Sequence, residues 1–266
     1  MSGGAADIKG AGRRLLAVIP HGGLILPAEI APESLSDEWP VLVRNIDWFT
    51  GDLYDFRDIL GNAQAVFPYC SLLLEANRHP RNIDAAAPLC DVWGRPVYRP
   101  GKEPTVESRK AMAEKYLDPF HQAVGDAVAA GANFILEGHA TVTARGMSEN
   151  QIDLMNMQTE QGGGQVRRFC PDEAIQAYAE ELGKRLPDIR ITVNASDYLD
   201  VYGHISAEHS IDAAGRVGRR APAILQETNL ALYLRPDGRP DIGKLNRLRR
   251  AFAESLGVIL SAFSRQ

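Results

Sequence analysis

Short runs of apolar residues alternate with longer segments of helical periodicity along this chain. The apolar runs, which are typical of buried strands, cover residues 15–19, 63–67, 71–76, 133–136, 189–193 and 223–226. Apolar residues at every third or fourth position predict helices over residues 45–60, 107–130, 171–185 and 241–263. Because strands and helices alternate, we expect an α/β fold with a mostly parallel or mixed central sheet and helices on both faces.

One segment lacks either pattern. Residues 79–104 hold five of the sixteen prolines, which predicts a long loop that lies over the surface and frames a site. The pattern elsewhere shows no second domain and no repeat, so we expect a single domain over residues 1–266. Its Gly- and Ala-rich start, residues 1–13, is predicted to be flexible.

Net charge, the length of apolar runs and the cysteine spacing limit the kinds of molecule that the protein is expected to bind and the compartment in which it is expected to work. A net charge of -5 gives no electrostatic reason to expect nucleic acid or an anionic membrane as a partner. We find no apolar run of about 18 residues, the length needed to span a membrane, and no secretory signal at the start. The three cysteines form no C-x-x-C pair, so neither a zinc ribbon nor a disulfide framework is indicated. We expect a cytoplasmic protein, and homo-oligomer formation is left open.

Three predicted strands run directly into residues that bind metals or transfer protons. His21 follows the first strand, His139 follows residues 133–136 through Glu137 and Gly138, and Glu227 follows residues 223–226. Sites in open α/β sheets form at the carboxyl ends of strands. Neutral imidazoles are the commonest zinc ligands, and catalytic zinc keeps three protein ligands and a water. Each residue alone is also compatible with a purely structural role.

The third ligand and the substrate contacts are less certain from the pattern. Asp47 is the best carboxylate for a zinc site, with Glu29 and Asp52 as alternatives. Asn77 and Arg78 follow the apolar run 71–76. Arg78 either closes a surface ion pair or, in a pocket, binds a carboxylate with its planar fork. Glu227 is either structural or a general base beside an activated water.

Taken together and in order, these segments resemble the N-formylglutamate amidohydrolase family, whose core is related to the zinc carboxypeptidases and aspartoacylases. The resemblance runs from residue 15 to residue 233. The segments that carry it are Pro20-His21-Gly22-Gly23, Asp47-Trp48, Leu53-Tyr54, Asn77-Arg78, Pro88-Leu89-Cys90, Gly94-Arg95-Pro96-Val97-Tyr98, Pro119-Phe120-His121, Gly138-His139, Asn194, and Glu227 followed by Tyr233.

The resemblance implies one zinc ion held by His21, Asp47 and His139. It also implies that Asn77 and Arg78 bind the carboxylate of a small substrate. Glu227 matches the family's late glutamate, which acts as the general base and then protonates the leaving amine.

The chain departs from the family in three places. Glu137-Gly138-His139-Ala140 stands where the family usually has Asp-x-His-Ser, and Leu24 stands where the carboxypeptidase-like relatives have a glutamate ligand. Near the family's Gly-Gly segment the chain reads Tyr202-Gly203-His204, with His209 close behind. We expect His204 and His209 at the surface and assign them no catalytic role.

The predicted function is zinc-dependent hydrolysis of the amide bond in N-formyl-L-glutamate or a related N-acyl amino acid. One alternative is a small-molecule binding protein on the same fold that has lost hydrolysis. Another is a carboxypeptidase- or aspartoacylase-like hydrolase of a different substrate. A protein that takes up no zinc would favour the first of these alternatives.

Overall fold

The computed structural model describes residues 12–142, 147–159, 166–195, 203–210 and 221–263. The strands are β1 Gly12–Ile19, β2 Asn62–Val66, β3 Phe134–Thr141, β4 Gln151–Met155, β5 Met157–Thr159, β6 Val166–Arg168, β7 Arg190–Val193 and β8 Ala223–Asn229. The helices are α1 Trp39–Leu42, α2 Thr50–Leu53, α3 Arg57–Leu60, α4 Ile83–Ala86, α5 Val106–Met112, α6 Asp118–Ala129, α7 Asp172–Arg185, α8 His204–His209 and α9 Ile242–Phe263.

Six strands form a mixed sheet in the order β2-β1-β3-β8-β4-β7. Strands β2, β1, β3 and β8 are parallel to one another, whereas β4 runs antiparallel to β8 and carries β7 parallel to itself. Strands β5 and β6 form a separate antiparallel pair. The predicted α/β fold with a mixed central sheet is therefore confirmed.

The apolar run of β1 is continuous because both faces of the strand are covered. Successive side chains of a strand point to opposite faces. Leu16 and Val18 accordingly pack with α6 in one hydrophobic cluster. Leu15, Ala17 and Ile19 pack with α7 and α9 in the other. Helices thus lie on both faces of the sheet, as the sequence pattern predicts. In the described part of the chain, no helix is long and apolar enough to cross a membrane.

The predicted helix over residues 107–130 forms with one irregularity. Thr105 caps its start by accepting a hydrogen bond from the Ser108 amide. A π-helical turn over Ala113–Leu117 separates α5 from α6. Pro119 follows directly, and a proline lacks the amide hydrogen that a regular helix needs from it. The π turn absorbs this defect, so the helix continues through the Asp118-Pro119 pair.

The predicted helix over residues 45–60 is wrong. The segment contains the short helices α2 and α3, and Phe49 has left-handed backbone angles with φ of 60°. Long-range hydrogen bonds hold it in this shape. The Trp48 indole donates to the Val43 carbonyl at 2.7 Å, and the Tyr233 hydroxyl donates to the Trp48 carbonyl at 2.7 Å. These contacts determine the backbone conformation of the segment more strongly than its helical periodicity does. The second contact joins residues that are far apart in sequence, so a local pattern does not reveal it.

The strand prediction fails over residues 71–76, which form turns closed by hydrogen bonds from Leu73 and Leu74 to the Cys70 carbonyl. Strands β4, β5 and β6 were not predicted. Strand β4 is buried at every position, its polar residues Gln151 and Asp153 included, and it has no run of consecutive apolar residues longer than two. Of the predicted flexible start, residues 12–13 belong to β1, and residues 1–11 lie outside the described part of the chain.

Candidate metal and active site

Three side chains from distant parts of the chain meet at the carboxyl end of β1. The Nδ1 atom of His21 lies 3.2 Å from Oδ2 of Asp47 and 3.2 Å from Nδ1 of His139. Nδ1 of His139 lies 3.5 Å from the same carboxylate oxygen. Among the described residues, these are the one group of three His, Cys, Asp or Glu side chains whose donor atoms converge in this way.

The sheet explains why the two histidines meet. Strands β1 and β3 are parallel neighbours, so their carboxyl ends lie at the same edge. His21 follows β1 after Pro20, and His139 lies in the last part of β3. Asp47 reaches them from the irregular segment before α2, where its Oδ2 accepts the Ala140 amide hydrogen at 2.9 Å.

Two glycines permit the close packing around these residues. A Cβ atom on Gly23 would lie 2.0 Å from the carbonyl carbon of Pro68, so no other residue fits without backbone movement. A Cβ atom on Gly138 would lie 2.5 Å from the ring of Tyr54. The Tyr54 hydroxyl in turn donates to the His139 carbonyl at 2.8 Å. The Tyr54 ring and its hydroxyl therefore fix the backbone beside His139.

Each histidine is oriented by a second carboxylate that the sequence prediction missed. Nε2 of His21 lies 2.5 Å from Oε1 of Glu75, and Nε2 of His139 lies 2.9 Å from Oε1 of Glu137. An ionised carboxylate only accepts, so each Nε2 is the donor and each Nδ1 faces the Asp47 carboxylate. In the sequence, Glu137 is distinguished only as a departure from the family pattern, and no local pattern identifies Glu75 as a site residue.

The acids dominate the electrostatics of both imidazoles. Burial opposes protonation of His21, but Glu75 and then Asp47 raise its pKa to about 9. Burial likewise opposes protonation of His139, yet hydrogen bonds to Asp47 and Glu137 raise its pKa well above the ordinary value. Burial raises the pKa of the Asp47 carboxyl, but His21 and His139 outweigh it and hold that pKa below its usual range.

Glu227 lies beside this group on the neighbouring strand. In the register of β3 and β8 it stands opposite His139, and it is 6% exposed. Burial is the largest cause that raises the pKa of its carboxyl to about 8, and Asp47 and Glu137 contribute in the same direction. Its carboxyl lines the same cavity as His21, Asp47 and His139. Glu227 is thus a buried carboxyl with a strong tendency to hold a proton.

Asn77 and Arg78 are placed differently from each other. Arg78 is half-buried and lines the cavity, with its Nη1 donating to the Asn77 carbonyl at 2.9 Å. The Asn77 amide is buried behind the histidines, where Nδ2 donates to Oε1 of Glu137 at 2.5 Å and Oδ1 accepts the Ile205 amide hydrogen at 3.2 Å. Asn77 does not line the cavity, and its predicted contact with substrate stays a prediction.

The cavity has a volume of about 300 Å³. Besides the residues above, the proline-rich loop contributes to its lining, including Cys90 and the exposed side chains of Val92 and Trp93. This loop therefore frames a site, as the sequence predicts. A space of this size accommodates a small organic molecule next to the histidines.

The alternatives for the third ligand lie elsewhere. Glu29 accepts hydrogen bonds from Lys115 at 2.7 Å and from the Tyr116 hydroxyl at 2.8 Å, and Asp52 is exposed on α2. The predicted surface placement of His204 and His209 is wrong, since they are only 5% and 8% exposed. Both belong to α8, which packs against the sheet and α6.

The donor set fits a zinc ion. Two imidazole nitrogens and one carboxylate oxygen are ligands that zinc takes in catalytic sites. Ligands about 2.0–2.1 Å from a tetrahedral ion lie roughly 3.3 Å from one another. The three observed separations of 3.2, 3.2 and 3.5 Å agree with that spacing. The hydrogen bond from each histidine to a second carboxylate is the usual support of a zinc-bound imidazole.

Fold and site together define a mixed α/β protein with a two-histidine, one-carboxylate site at the carboxyl ends of parallel strands. The sequence profile of the N-formylglutamate amidohydrolase family matches residues 13–234. The chain belongs to this family.

Individual relatives are more distant. The chain is 30% identical over 114 residues to N-formylglutamate deformylase of Pseudomonas putida, a match covering 40% of this chain and 42% of that protein. It is 29% identical over 122 residues to the protein of the same name from Pseudomonas aeruginosa, covering 43% of this chain and 45% of that protein. The chain thus aligns with less than half the length of these relatives.

Two solved structures share the fold. The N-formylglutamate amidohydrolase of Ralstonia eutropha superposes with a TM-score of 0.61 at 18% identity, over 94% of each chain. A gene product of Agrobacterium tumefaciens superposes with a TM-score of 0.66 at 16% identity, over 98% of this chain and 95% of that one.

Proposed function

We propose that this protein is a zinc-dependent amidohydrolase that hydrolyses N-formyl-L-glutamate or a related N-acyl amino acid. The observation that carries the proposal is the convergence of His21, Asp47 and His139 beside the buried carboxyl of Glu227. Family membership and the names of the aligned relatives support the same reaction.

In this proposal His21, Asp47 and His139 hold the zinc ion. A bound zinc ion polarises a carbonyl group and makes hydroxide available from water at a pH near 7. Glu75 and Glu137 accept hydrogen bonds from the two Nε2 atoms and so fix the tautomer and orientation of both rings, and their negative charge would support imidazoles that bind a cation.

Glu227 performs the proton transfers. Its carboxylate takes a proton from the attacking water and then delivers it to the amine nitrogen as the amide bond breaks. Burial makes this carboxylate a stronger base than an exposed glutamate, since the environment raises its pKa. A cation held beside Glu227 would lower that pKa, so that the carboxyl group would be ionised before the reaction and would accept a proton during it.

Arg78 is the residue we assign to the carboxylate of the substrate. It lines the cavity together with Glu75 and His21, and a guanidinium binds a carboxylate through two parallel hydrogen bonds. For Asn77 we now favour a positioning role, because its amide donates to Glu137 and not into the cavity. The substrate is thus a small carboxylate-bearing molecule.

The experiment is metal removal and replacement. Purified protein is treated with a chelator, and the formate released from N-formyl-L-glutamate is measured before and after addition of one equivalent of zinc. The proposal predicts loss of activity and its return with zinc. Protein that takes up no zinc points to the non-catalytic alternative. Zinc uptake without formate release, together with turnover of an N-acetyl or N-carbamoyl amino acid or a peptide, assigns the site to another substrate.

A cytoplasmic location belongs to the same proposal. Cys70, Cys90 and Cys170 are all free thiols. Free thiols persist in reducing compartments, where disulfides are rare.

A further inference from the structure

A second histidine cluster lies outside the site described above. It consists of His79, His121, His204 and His209, which with His21 and His139 account for all six histidines of the chain. The ring centroids of His121 and His204 are 4.7 Å apart, those of His79 and His204 are 4.9 Å apart, and those of His121 and His209 are 6.4 Å apart. We call this group the four-histidine cluster.

The cluster leads from the surface into the molecule. His79 is exposed, whereas His121 on α6 and the first and last residues of α8, His204 and His209, are each less than 10% exposed. Helices α6 and α8 approach closely, because a Cβ atom on Gly125 would lie 3.5 Å from the His209 ring. His79 is thus the exposed member of a cluster whose other three rings are buried between these helices.

Two of the three ring separations match that of ligands to one ion, and the third, 6.4 Å between His121 and His209, is longer. Two imidazoles bound to a tetrahedral ion at about 2.0–2.1 Å have centroids roughly 5 Å apart. The His21 and His139 rings are 4.8 Å apart. The separations from His204 to His79 and to His121 lie within 0.1 Å of that value on either side.

The nitrogens of the cluster do not yet converge as those of the first site do. The structure describes all four histidines of the cluster. No three of their ring nitrogens lie within 4.8 Å of one another. Both ring nitrogens of His121 are buried, and neither has a hydrogen-bond partner among the described residues. A half turn of this ring about its last torsion exchanges nitrogens for carbons of nearly equal size and moves each nitrogen by about 2 Å. This turn breaks no hydrogen bond of the ring.

The environment keeps His121 and His204 neutral. Burial lowers the pKa of His121 to about 3, and the neighbouring histidines lower it further in the same direction. Burial also lowers the pKa of His204 to about 4. A neutral imidazole is the form that binds a metal, so no proton has to be displaced from these two rings.

We propose that the four-histidine cluster is a second, weaker binding site for a divalent transition-metal ion of the zinc class, assembled when the His121 ring turns. Imidazole nitrogens suit zinc, copper and nickel better than magnesium or calcium. The site is weaker than the first because the ring of His121 has to turn before it can bind the ion.

The second site is connected to the first through α8. The backbone amide of His204 donates to the Asn77 carbonyl at 3.0 Å, and the Ser206 amide donates to Oε2 of Glu137 at 3.1 Å. A metal bound to His204 therefore restrains the helix that holds Glu137 against His139.

The proposal is tested by titrating metal-free protein with zinc chloride in an isothermal calorimeter, which measures the number of zinc ions bound and their affinities. We expect two equivalents, of which the second binds more weakly. The Asp47→Asn variant loses the first equivalent and keeps the second, while His121→Phe, which retains a ring of similar size, does the reverse. Gln122→Ala, on the exposed side of α6 next to His121, keeps both equivalents.

A second variant tests the same site in case His121→Phe does not fold correctly. His79→Ala changes an exposed residue, and we expect it to weaken the second equivalent by at least about tenfold. Binding of one equivalent only by the wild-type protein overturns the proposal. A second equivalent that survives both His121→Phe and His79→Ala overturns it as well, since that zinc then lies elsewhere.

Discussion

The two histidine groups of this protein have nearly the same ring spacing and opposite electrostatics. His21 and His139 each donate from Nε2 to a glutamate, and their Nδ1 atoms share the carboxylate of Asp47. His121 and His204 contact other imidazoles, and His121 has no hydrogen bond to either nitrogen. Acids raise the pKa of His21 to about 9, whereas burial lowers that of His121 to about 3.

This difference shows what turns a buried histidine into an oriented ligand. The rings lie close together in both groups, but in the first group a carboxylate accepts from the Nε2 atom of each ring, whereas neither nitrogen of His121 has a hydrogen-bond partner in the described part of the chain. That carboxylate fixes the tautomer and the ring orientation, and it makes the imidazole a stronger ligand. The first group is therefore preorganised for a metal, and the second needs a ring to turn.

The largest expected effect comes from the carboxylate that the two rings of the first site share. Asp47→Ala removes a proposed zinc ligand, and we expect activity to fall by more than about 10⁴-fold, the upper end of what one acid-base group contributes. Zinc content and formate release measure this. Asp52→Ala, which changes the exposed acid five residues later, keeps both. Equal losses in the two variants contradict the assignment of Asp47.

Removal of Glu227, the proposed general base, gives the next largest expected effect. Glu227→Gln keeps the shape of the side chain but not its ability to take a proton, so we expect kcat to fall by about 10²–10⁴-fold with zinc content unchanged. Steady-state kinetics and metal analysis of the same preparation measure this. Glu254→Gln on the exposed side of α9 is the matched control. Full activity of Glu227→Gln excludes Glu227 as the base.

The carboxylates behind the histidines have a smaller effect. Glu75→Gln and Glu137→Gln keep a hydrogen bond to Nε2 but remove its charge, and we expect zinc affinity to fall by about 10–100-fold in each. Competition with a zinc chelator measures the affinity. Unchanged zinc affinity in both variants would mean that the carboxylates behind His21 and His139 do not strengthen metal binding, which contradicts the comparison of the two histidine groups.

Protonation states give the smallest but most specific effect. In zinc-free protein at pH 7, we expect His21 to be charged and His121 to be neutral, which the nitrogen chemical shifts of the rings distinguish. The raised pKa of His21 stabilises the fold below pH 6.5 and this contribution is lost as the pH rises through about 9. The lowered pKa of His121 destabilises the fold as the pH falls from 6.5 towards about 3. Identical titration of both rings near pH 6.5 contradicts the comparison.

The sequence predicted the parts of this site that lie next to strands. His21, His139 and Glu227 each follow or end an apolar run, and parallel strands bring their ends to one edge whatever the details of packing. Asp47 was the preferred third ligand, although the helix on which the prediction placed it does not form.

The remaining features depend on contacts between distant residues. Glu75 and His21 are 54 positions apart, and the turn that brings them together was predicted to be a strand. The burial of His204 and His209 follows from the packing of α8 on α6, which polar residues in a short helix do not indicate. Local patterns predict strands β1, β2, β3, β7 and β8 and the reactive residues at the ends of β1, β3 and β8, but not the partners that orient each side chain.

Diffraction from zinc-loaded crystals on both sides of the zinc absorption edge tests the central claim most directly. We predict an anomalous peak about 2.0–2.2 Å from Nδ1 of His21, Nδ1 of His139 and Oδ2 of Asp47, with Glu227 beside it and not bonded to it. A peak coordinated through the Nε2 atoms, or zinc bound only at other side chains, would contradict the account.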